Sequence, residues 1–554
     1  MSRADVGSDA FATFRRPAGE VMRLARMGSA HPTRLSFLRQ LLRRAETEGW
    51  RIDRPVWDID GRGVGRATYR VRGPERSYTL AAFAHDLPDH MRSDRVIATA
   101  WDATFALVDG EPTPADLDRL AANVPLQEAG RIGPGELCLL RANRSVRLFD
   151  HVVARLAAGR QPDPAALAEV GYLMRTTAVY GSGKFGAADR AAVAGRPELA
   201  APFQAEMLSV WLARAFTVDI VEHLARARGG DRAARLDPAL ARGLGVGNST
   251  GLGMAPFLIR HPVLLNNWMA AREEALARVR AQTGVAEGAA EGFFRALLAA
   301  KANAADWDSA HPVQAGKLAA LRADLETIGG WAADGLDRGA AHPWDALWRR
   351  AEADLSLEGQ EALLALMLEP HGDLVDGLGC CMAADEAAAF PLDGRMRCDA
   401  ARTALADRYG WALDIDWDDP AELARFWYVS EEKLEPRLGR RAEEAGAERE
   451  LPLGIARAAA DCHAALADWP GAEPVAAFLL AHPEHRQMLR RVQMSAGRPY
   501  AEIRDNLLSA SMLPIDILRC KLAFFGATRF DPRSDLWVRI SLFQGAPDPR
   551  EFRG

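Results

Sequence analysis

The chain has 554 residues, of which 49% are apolar and 26% charged, and its net charge is −6. These values are typical of globular proteins and argue against wholesale disorder, while the length exceeds the roughly 250–300 residues that one core usually serves. The six cysteines are too few and too scattered for a disulfide framework, and the longest apolar stretches are too short for a membrane span. We therefore expect a cytoplasmic protein of two or three domains with no membrane partner.

Residues 1–113 predict a small α+β region. Leu35, Leu38, Leu41 and Leu42 follow helical spacing in a segment that starts near Thr33. Three β-prone runs follow, namely Val56–Ile59, Gly65–Arg72 and Ser77–Phe83. Turn residues separate the runs, as in an antiparallel meander. The next apolar run, over 95–108, is compatible with a fourth strand or with a helix.

Residues 114–430 predict a helical body, because apolar residues recur at spacings of three and four in segments of helix length. These segments are Leu137–Ala158, Pro164–Ala178, Leu199–Arg228, Met254–Thr283, Gly292–Asp306, His311–Leu336 and Leu357–Leu368. A charged stretch, Tyr428–Leu451, marks an exposed excursion or a boundary. Residues 431–554 predict further helices and a closing strand, over Ile455–Trp469, Val475–Met494, Ala501–Phe525 and Asp535–Phe543. The predicted fold class is mainly α, a multi-helix body with a small N-terminal meander.

Lys184 is the only lysine in residues 1–300, and only five of the 69 basic residues in the chain are lysines. Lysine carries a compact charge and can lose its proton when buried, unlike arginine. It lies in a loop with Tyr180, Ser182 and three glycines, directly after the predicted helix Pro164–Ala178. Glycines allow close backbone approach, so consecutive N–H groups can bind an anion together with Lys184, Ser182 and Arg175.

Two familiar motifs do not fit this loop. A Walker A loop requires glycine where Ala178 stands, serine or threonine where Phe185 stands, and a preceding strand. The spacing of Tyr180 and Lys184 matches short-chain dehydrogenases, but there both residues share a helix, which the intervening glycines disfavour, and no Rossmann fingerprint lies upstream. We therefore predict no nucleotide cofactor.

A second glycine-rich loop contains Asn248, Ser249 and Thr250 and is followed by Arg260, His261 and a long helix. The start of a helix favours an anion. Thr250 stands where a dinucleotide-binding fingerprint has its last glycine, and the pattern predicts a helix rather than a strand before the loop. A dinucleotide ligand is therefore not indicated. The loop has a faint likeness to the Ser-Ser-x-Met-Pro loop of the fumarase and aspartase lyases, from which it departs by an insertion after Ser249.

Other polar clusters offer further candidates. His85 follows the third β-prone run among aspartates and arginines and could act as a general base. Asp219, Glu222 and His223 share one helix face, where they could hold a metal or form one acid/base group, although such a set usually forms a surface salt-bridge face.

Two short motifs are interpreted as structural. His482-Pro-Glu484-His485 opens a helix and most simply caps it. Cys380 and Cys381 are adjacent, and such pairs are more often small core residues than redox centres, with no basic neighbour in sequence to lower a thiol pKa.

Together these patterns predict an enzyme that acts on a small carboxylate- or phosphate-bearing metabolite by lyase-like acid/base chemistry. Tyr180 is the expected proton donor or acceptor, with its pKa lowered by Lys184, and His261 or His85 is the alternative base. The residues expected to hold or orient the anion are Arg175, Ser182, Asn248, Ser249, Thr250 and Arg260. No metal is predicted, nucleic acid is disfavoured as a partner, and a homo-oligomer is compatible with the sequence.

The alternative hypothesis is a non-enzymatic helical scaffold or regulatory protein. Residues 1–76 contain 16 arginines and nine acidic residues, and a basic region can dock an acidic partner. The same arginines, for example Arg39 and Arg43, could instead form a solvated helix face or contact the acidic remainder of the chain.

Overall fold

A computed structural model describes residues 9–91, 100–123, 135–181, 184–185, 193, 195–248, 262–309, 311–382, 392–423, 427–430, 436–438, 450–452, 454–504, 511–527 and 540–553. The helices in chain order are α1 Ala18–Val21, α2 Leu24–Gly28, α3 Phe37–Thr47, α4 Pro114–Asn123, α5 Phe149–Ala157, α6 Pro164–Val170, α7 Gln204–Gly229, α8 Pro238–Arg242, α9 Pro262–Arg280, α10 Ala289–Ala305, α11 Pro312–Ala333, α12 Pro343–Asp354, α13 Leu357–Leu368, α14 Gly372–Val375, α15 Cys398–Leu413, α16 Pro420–Leu423, α17 Gly454–Ala467, α18 Val475–Ala481, α19 Arg486–Ala496 and α20 Pro514–Phe525. The strands are β1 Arg51–Ile59, β2 Gly65–Arg72, β3 Ser77–Ala84, β4 Ala103–Asp109, β5 Glu136–Arg144, β6 Tyr172–Gly181, β7 Lys184–Phe185, β8 Gly245–Asn248, β9 Trp427–Ser430, β10 Pro436–Leu438, β11 Glu450–Pro452 and β12 Ile540–Leu542.

The chain forms two compact units, each assembled from separate segments. We call residues 36–251, 524–530 and 539–554 the sheet unit, and residues 1–35, 252–523 and 531–538 the helical unit. The sequence prediction differs, because it divides the chain into three consecutive regions with boundaries after residues 113 and 430. Helix is the predominant secondary structure among the described residues, so the prediction of a mainly helical chain is confirmed.

The sheet unit is built around a nine-stranded sheet. Strands β1 to β6 pair in chain order as antiparallel neighbours, β7 folds back on β6, and β8 pairs with β6 in parallel and with β12 antiparallel. The predicted meander is confirmed as β1 to β3, and the ambiguous run after it ends in β4. The prediction that the β structure before residue 431 is limited to a small N-terminal meander is wrong, because the sheet continues through β5, β6, β7 and β8. The predicted closing strand Asp535–Phe543 contains β12.

Two predicted helices are strand over part of their length. Leu137–Ala158 contains β5 before α5, and Pro164–Ala178 contains most of β6 after α6. Gly171 ends α6 with a φ of 77°, a left-handed conformation that favours glycine. The β-branched and aromatic residues that follow suit a strand, and a strand buried on both faces lacks the alternation that would distinguish it from a helix. The Lys184 segment therefore follows a strand rather than a helix.

Helix α7 lies against the sheet and is buried along most of its length. It contacts β3 to β6 and β8. Arg214, fully buried in this helix, donates hydrogen bonds to the carbonyl oxygens of Leu244 and Ala546 at 2.7 and 2.9 Å. Charged groups are costly to bury without partners. These hydrogen bonds explain why the Arg214 guanidinium is tolerated in the interior. The predicted helix Leu199–Arg228 is confirmed over α7.

The helical unit is held together by a buried cluster of ion pairs. The carboxylate of Glu361, which is fully buried, accepts hydrogen bonds from Arg16 at 2.5 Å, from Arg26 at 3.1 Å and from Arg272. Elsewhere in the unit, Glu358 pairs with buried Arg519. A separate apolar core joins α15, α17, α18 and α19.

The helix predictions for this unit are confirmed over α10, α11, α13 and α17. The predicted helix Val475–Met494 is broken into α18 and α19 by a 3-10 turn at Pro483–His485, because proline cannot continue a helix.

The charged stretch Tyr428–Leu451 contributes to a three-stranded sheet, in the order β10-β9-β11. Of the helices that the structure describes, none has both the length and the hydrophobicity needed to cross a bilayer.

Candidate functional site

The two glycine-rich segments named by the sequence begin on neighbouring strands of the sheet unit. Asn248 ends β8 and stands opposite Thr176 of β6, four positions before Tyr180. Each segment therefore leaves a strand rather than a helix, which removes one of the three departures of the Lys184 loop from a Walker A motif. The departures at Ala178 and Phe185 remain.

A short hairpin places Lys184 in the sheet. Lys184 pairs with Gly181 and Phe185 pairs with Tyr180, so Tyr180 and Lys184 stand on two strands and share no helix. Gly181 also pairs with Cys138 of β5. Cys138, Gly181 and Lys184 thus form one row across three strands, which we call the Lys184 row.

A buried carboxyl group lies next to this row. Glu206, in the first turn of α7, is only 2% exposed and lies close enough to the Cys138 thiol for its charge to affect the thiol pKa. Burial raises the pKa of Glu206 to about 7, against a smaller lowering by its own backbone N–H, and neither carboxyl oxygen has any other hydrogen-bond partner among the described residues. A carboxyl group that titrates near neutral pH is suited to proton transfer.

Glu206 is not among the site residues predicted from the sequence. It is the only acidic residue in the otherwise mostly apolar stretch 204–218, which is the signal that could have identified it. A lone carboxylate within a buried segment is rare unless it is paired or functional.

A second polar row crosses the sheet and includes other predicted residues. The backbone N–H of His85 donates to the Asp102 carbonyl, and the Asp102 N–H donates to the side chain of Asn143. Asn143 in turn stands opposite Arg175, which stands opposite Gly247. The structure therefore brings His85 and Arg175 into one row, next to the strand that ends at Asn248.

His85 and Arg175 stand apart from the Lys184 row. Arg175 precedes Tyr180 by five positions on β6, which is roughly 17 Å along a strand. The Nε2 atom of half-buried His85 lies 2.9 Å from the Thr104 hydroxyl, and burial lowers its pKa. The predicted site is thus divided between two rows. The predicted residues Ser182, Ser249, Thr250, Arg260 and His261 lie outside the described residues.

A cavity of about 820 Å³ in the sheet unit is lined by the helix face that carries Asp219, Glu222 and His223. Asp219 accepts hydrogen bonds from the Tyr69 hydroxyl at 2.8 Å, from Arg54 at 2.8 Å and from Arg553 at 2.6 Å. Burial and the Asp219 carboxylate together raise the pKa of Tyr69.

The remaining two members of this helix face are also engaged. Glu222 pairs with Arg550, while the Trp57 indole donates to Nδ1 of His223 and Nε2 of His223 donates to the Asp60 carbonyl. The interpretation as a salt-bridge face is confirmed for Asp219 and Glu222, although Asp219 is buried rather than on the surface, and His223 makes no described ion pair. These three side chains form no metal-binding group in the described part of the chain. Exposed Arg226 and Arg235 also line the cavity.

Comparison of the chain with protein-family models, with curated proteins and with solved structures gives no match.

Proposed function

We propose that the chain is an enzyme that acts on a small carboxylate- or phosphate-bearing metabolite by acid/base chemistry, with Glu206 as a proton-transfer group and Lys184 as the charge that holds the anion. The observation that carries this proposal is the carboxyl group of Glu206, which is buried within electrostatic range of Cys138 in the Lys184 row and, apart from its own backbone N–H, has no described hydrogen-bond partner.

The cost of burying Glu206 supports a functional role. A buried polar group without a partner destabilises a fold by about 1–3 kcal/mol. A glutamine or an apolar residue would fill the same position in α7 without an ionisable group. Retaining the carboxyl is explained if it exchanges a proton with a bound molecule.

The register of the sheet supports the role of Lys184. Two strand spacings separate Lys184 from Cys138, roughly 10 Å, and Cys138 lies within electrostatic range of Glu206. A molecule of metabolite size bound at this end of β6 would span the distance between the two groups. Tyr180, one position before Gly181, is the second proposed proton-transfer group, as the sequence predicts.

The scaffold alternative has less support from the contacts of the N-terminal arginines. Four of them pair with acids of the same helical unit, in the pairs Arg15–Glu274, Arg16–Glu273, Arg26–Glu20 and Arg34–Asp376. These guanidinium groups are thus engaged within the unit. Charge reversal at Arg39 and Arg43 tests what remains of the docking hypothesis.

A thermal-shift screen with carboxylate and phosphate metabolites tests the proposal, because a ligand that binds the folded state raises its melting temperature. The stabilising ligand should act on the wild type and lose most of its effect with Lys184→Met, while Glu206→Gln should bind the ligand but not turn it over. The paired variant Arg226→Gln/Arg235→Gln, which alters the cavity near Asp219, should respond like the wild type. Loss of binding in that variant, with Lys184→Met unaffected, would place the site in the cavity and overturn the proposal.

A further inference from the structure

His482, Glu484 and His485 in the helical unit bring three metal-binding atoms together. Nδ1 of His482 lies 3.4 Å from Oε1 of Glu484, and Nε2 of His485 lies 3.7 Å from the same oxygen. All three atoms lie within 4.8 Å of one another. Two imidazoles and a carboxylate form a ligand set that zinc commonly takes, and ligands around tetrahedral zinc are separated by roughly 3.3–3.6 Å.

The prediction that the histidines of this motif cap a helix is wrong. His482 precedes the 3-10 turn Pro483–His485, and His485 precedes α19, yet neither side chain makes a capping hydrogen bond. The two imidazoles instead face the carboxylate of Glu484. The arrangement thus needs an explanation other than helix capping.

The aromatic residues around the motif fix the orientation of both imidazoles. The ring of His485 stacks on buried Phe478, with centroids 5.7 Å apart and planes 13° apart. The ring of His482 lies 4.9 Å from Phe478 and meets the edge of Trp469 at 5.6 Å. The backbone N–H of His482 donates to the Phe478 carbonyl at 2.9 Å, which fixes the start of the turn. Ligands held in place in this way lose little side-chain entropy when an ion binds.

We propose that His482, Glu484 and His485 bind a divalent ion of the zinc class, with water in the remaining coordination position. The side chains of His482 and Glu484 are 37% and 61% exposed, so the site is open to an ion from solution. The imidazole and carboxylate donors favour zinc, cobalt or nickel over calcium or magnesium, which prefer oxygen ligands alone. This site lies in the helical unit and is independent of the function proposed for the sheet unit.

Zinc titration of the full chain tests the site. After treatment with a chelator and dialysis, the wild type should bind zinc in isothermal titration calorimetry. His482→Ala and His485→Ala should each lower the zinc affinity by at least about tenfold. Cobalt should bind with the same dependence on these residues and give the visible absorption of a low-coordinate site.

Two controls keep the result specific. His463→Ala removes a histidine of the same unit that is outside the group, and it should bind zinc like the wild type. Cys380→Ser/Cys381→Ser removes two thiols that lie 3.8 Å apart and could also bind zinc. Cys380 is exposed, so the interpretation of this residue as a core residue is wrong. The proposal is overturned if the wild type binds no zinc, if both histidine variants bind it unchanged while melting like the wild type, or if binding is lost only in the cysteine variant.

Discussion

The carboxyl group of Glu206 and the thiol of Cys138 are both buried in the interior of the sheet unit, close enough for the carboxylate charge to act on the thiol. Burial raises the pKa of both groups, and the Glu206 charge raises that of the thiol further. The carboxyl therefore exchanges its proton near neutral pH, whereas the thiol stays protonated. Only one of the two groups can serve as an acid and a base under ordinary conditions.

The pH dependence of stability should report this carboxyl directly. The pKa of Glu206 is about 7 in the folded chain, against an ordinary value of 4.5. Between these values the folded state binds more protons than the unfolded state, so the contribution of Glu206 to the free energy of unfolding falls as the pH rises. The total loss by the time the carboxyl is ionised is about 3 kcal/mol.

Urea unfolding of Glu206→Gln measures that contribution. Between about pH 5 and about pH 8, its free energy of unfolding should fall less than that of the wild type. Glu326→Gln, which alters an exposed partner of Lys301, should follow the wild-type curve. Parallel curves for Glu206→Gln and the wild type would show that the carboxyl is not perturbed.

The meander was predictable because turn residues separate β1, β2 and β3, so the local sequence indicates where each strand ends. The strands β5 and β6 were not predictable, because each is next to a helix in the sequence and is buried on both faces. Leu137–Arg144 and Tyr172–Ala178 therefore have the composition of helix and buried strand alike.

The candidate site likewise contains residues that the sequence could identify and residues that it could not. Lys184 was identifiable from its rarity, and its place in the sheet follows from the pairing of Gly181. Glu206 could not be assigned to that place from the sequence, because its position depends on how α7 packs on β5. The metal-binding arrangement of His482 and His485 likewise depends on ring packing against Phe478 rather than on spacing alone.

The Asp219 network should stabilise the sheet unit. Tyr69→Phe removes one buried hydrogen bond and should lower the free energy of unfolding by about 1–2 kcal/mol. Asp219→Asn should cost about 2–4 kcal/mol, because Arg54 and Arg553, each about a third exposed, lose their counter-charge. Chemical denaturation checks both values, with Arg62→Ala, an exposed residue, as the neutral control. Equal stability of Asp219→Asn and the wild type would contradict this account.

Glu361→Gln should destabilise the helical unit by about 3–5 kcal/mol, because it leaves three buried arginines without their shared carboxylate. Those arginines, Arg16, Arg26 and Arg272, contact Glu361 in the unit's interior. The matched exposed variant Glu326→Gln should change stability by less than about 1 kcal/mol. Similar melting temperatures for the two variants would show that the buried cluster does not hold the unit together.

Gly247→Ala should disturb the pairing of β6 with β8. A Cβ atom at this position would lie 2.7 Å from the ring of Tyr172, closer than packed carbon atoms approach. Overpacking of this kind costs about 1–3 kcal/mol. Gly284→Ala has open space for its methyl group and should melt like the wild type. If Gly247→Ala also melts like the wild type, the close approach of the two strands is not required.

The pH dependence of turnover tests the central claim about Glu206 most directly, once the screen has provided a substrate. The wild-type kcat/KM should change with an apparent pKa near that of Glu206, about 7. Glu206→Gln should lose this transition and about 10²–10⁴-fold in kcat while it still binds the substrate. An unchanged rate and an unchanged pH profile in Glu206→Gln would contradict the proposed role of this carboxyl group.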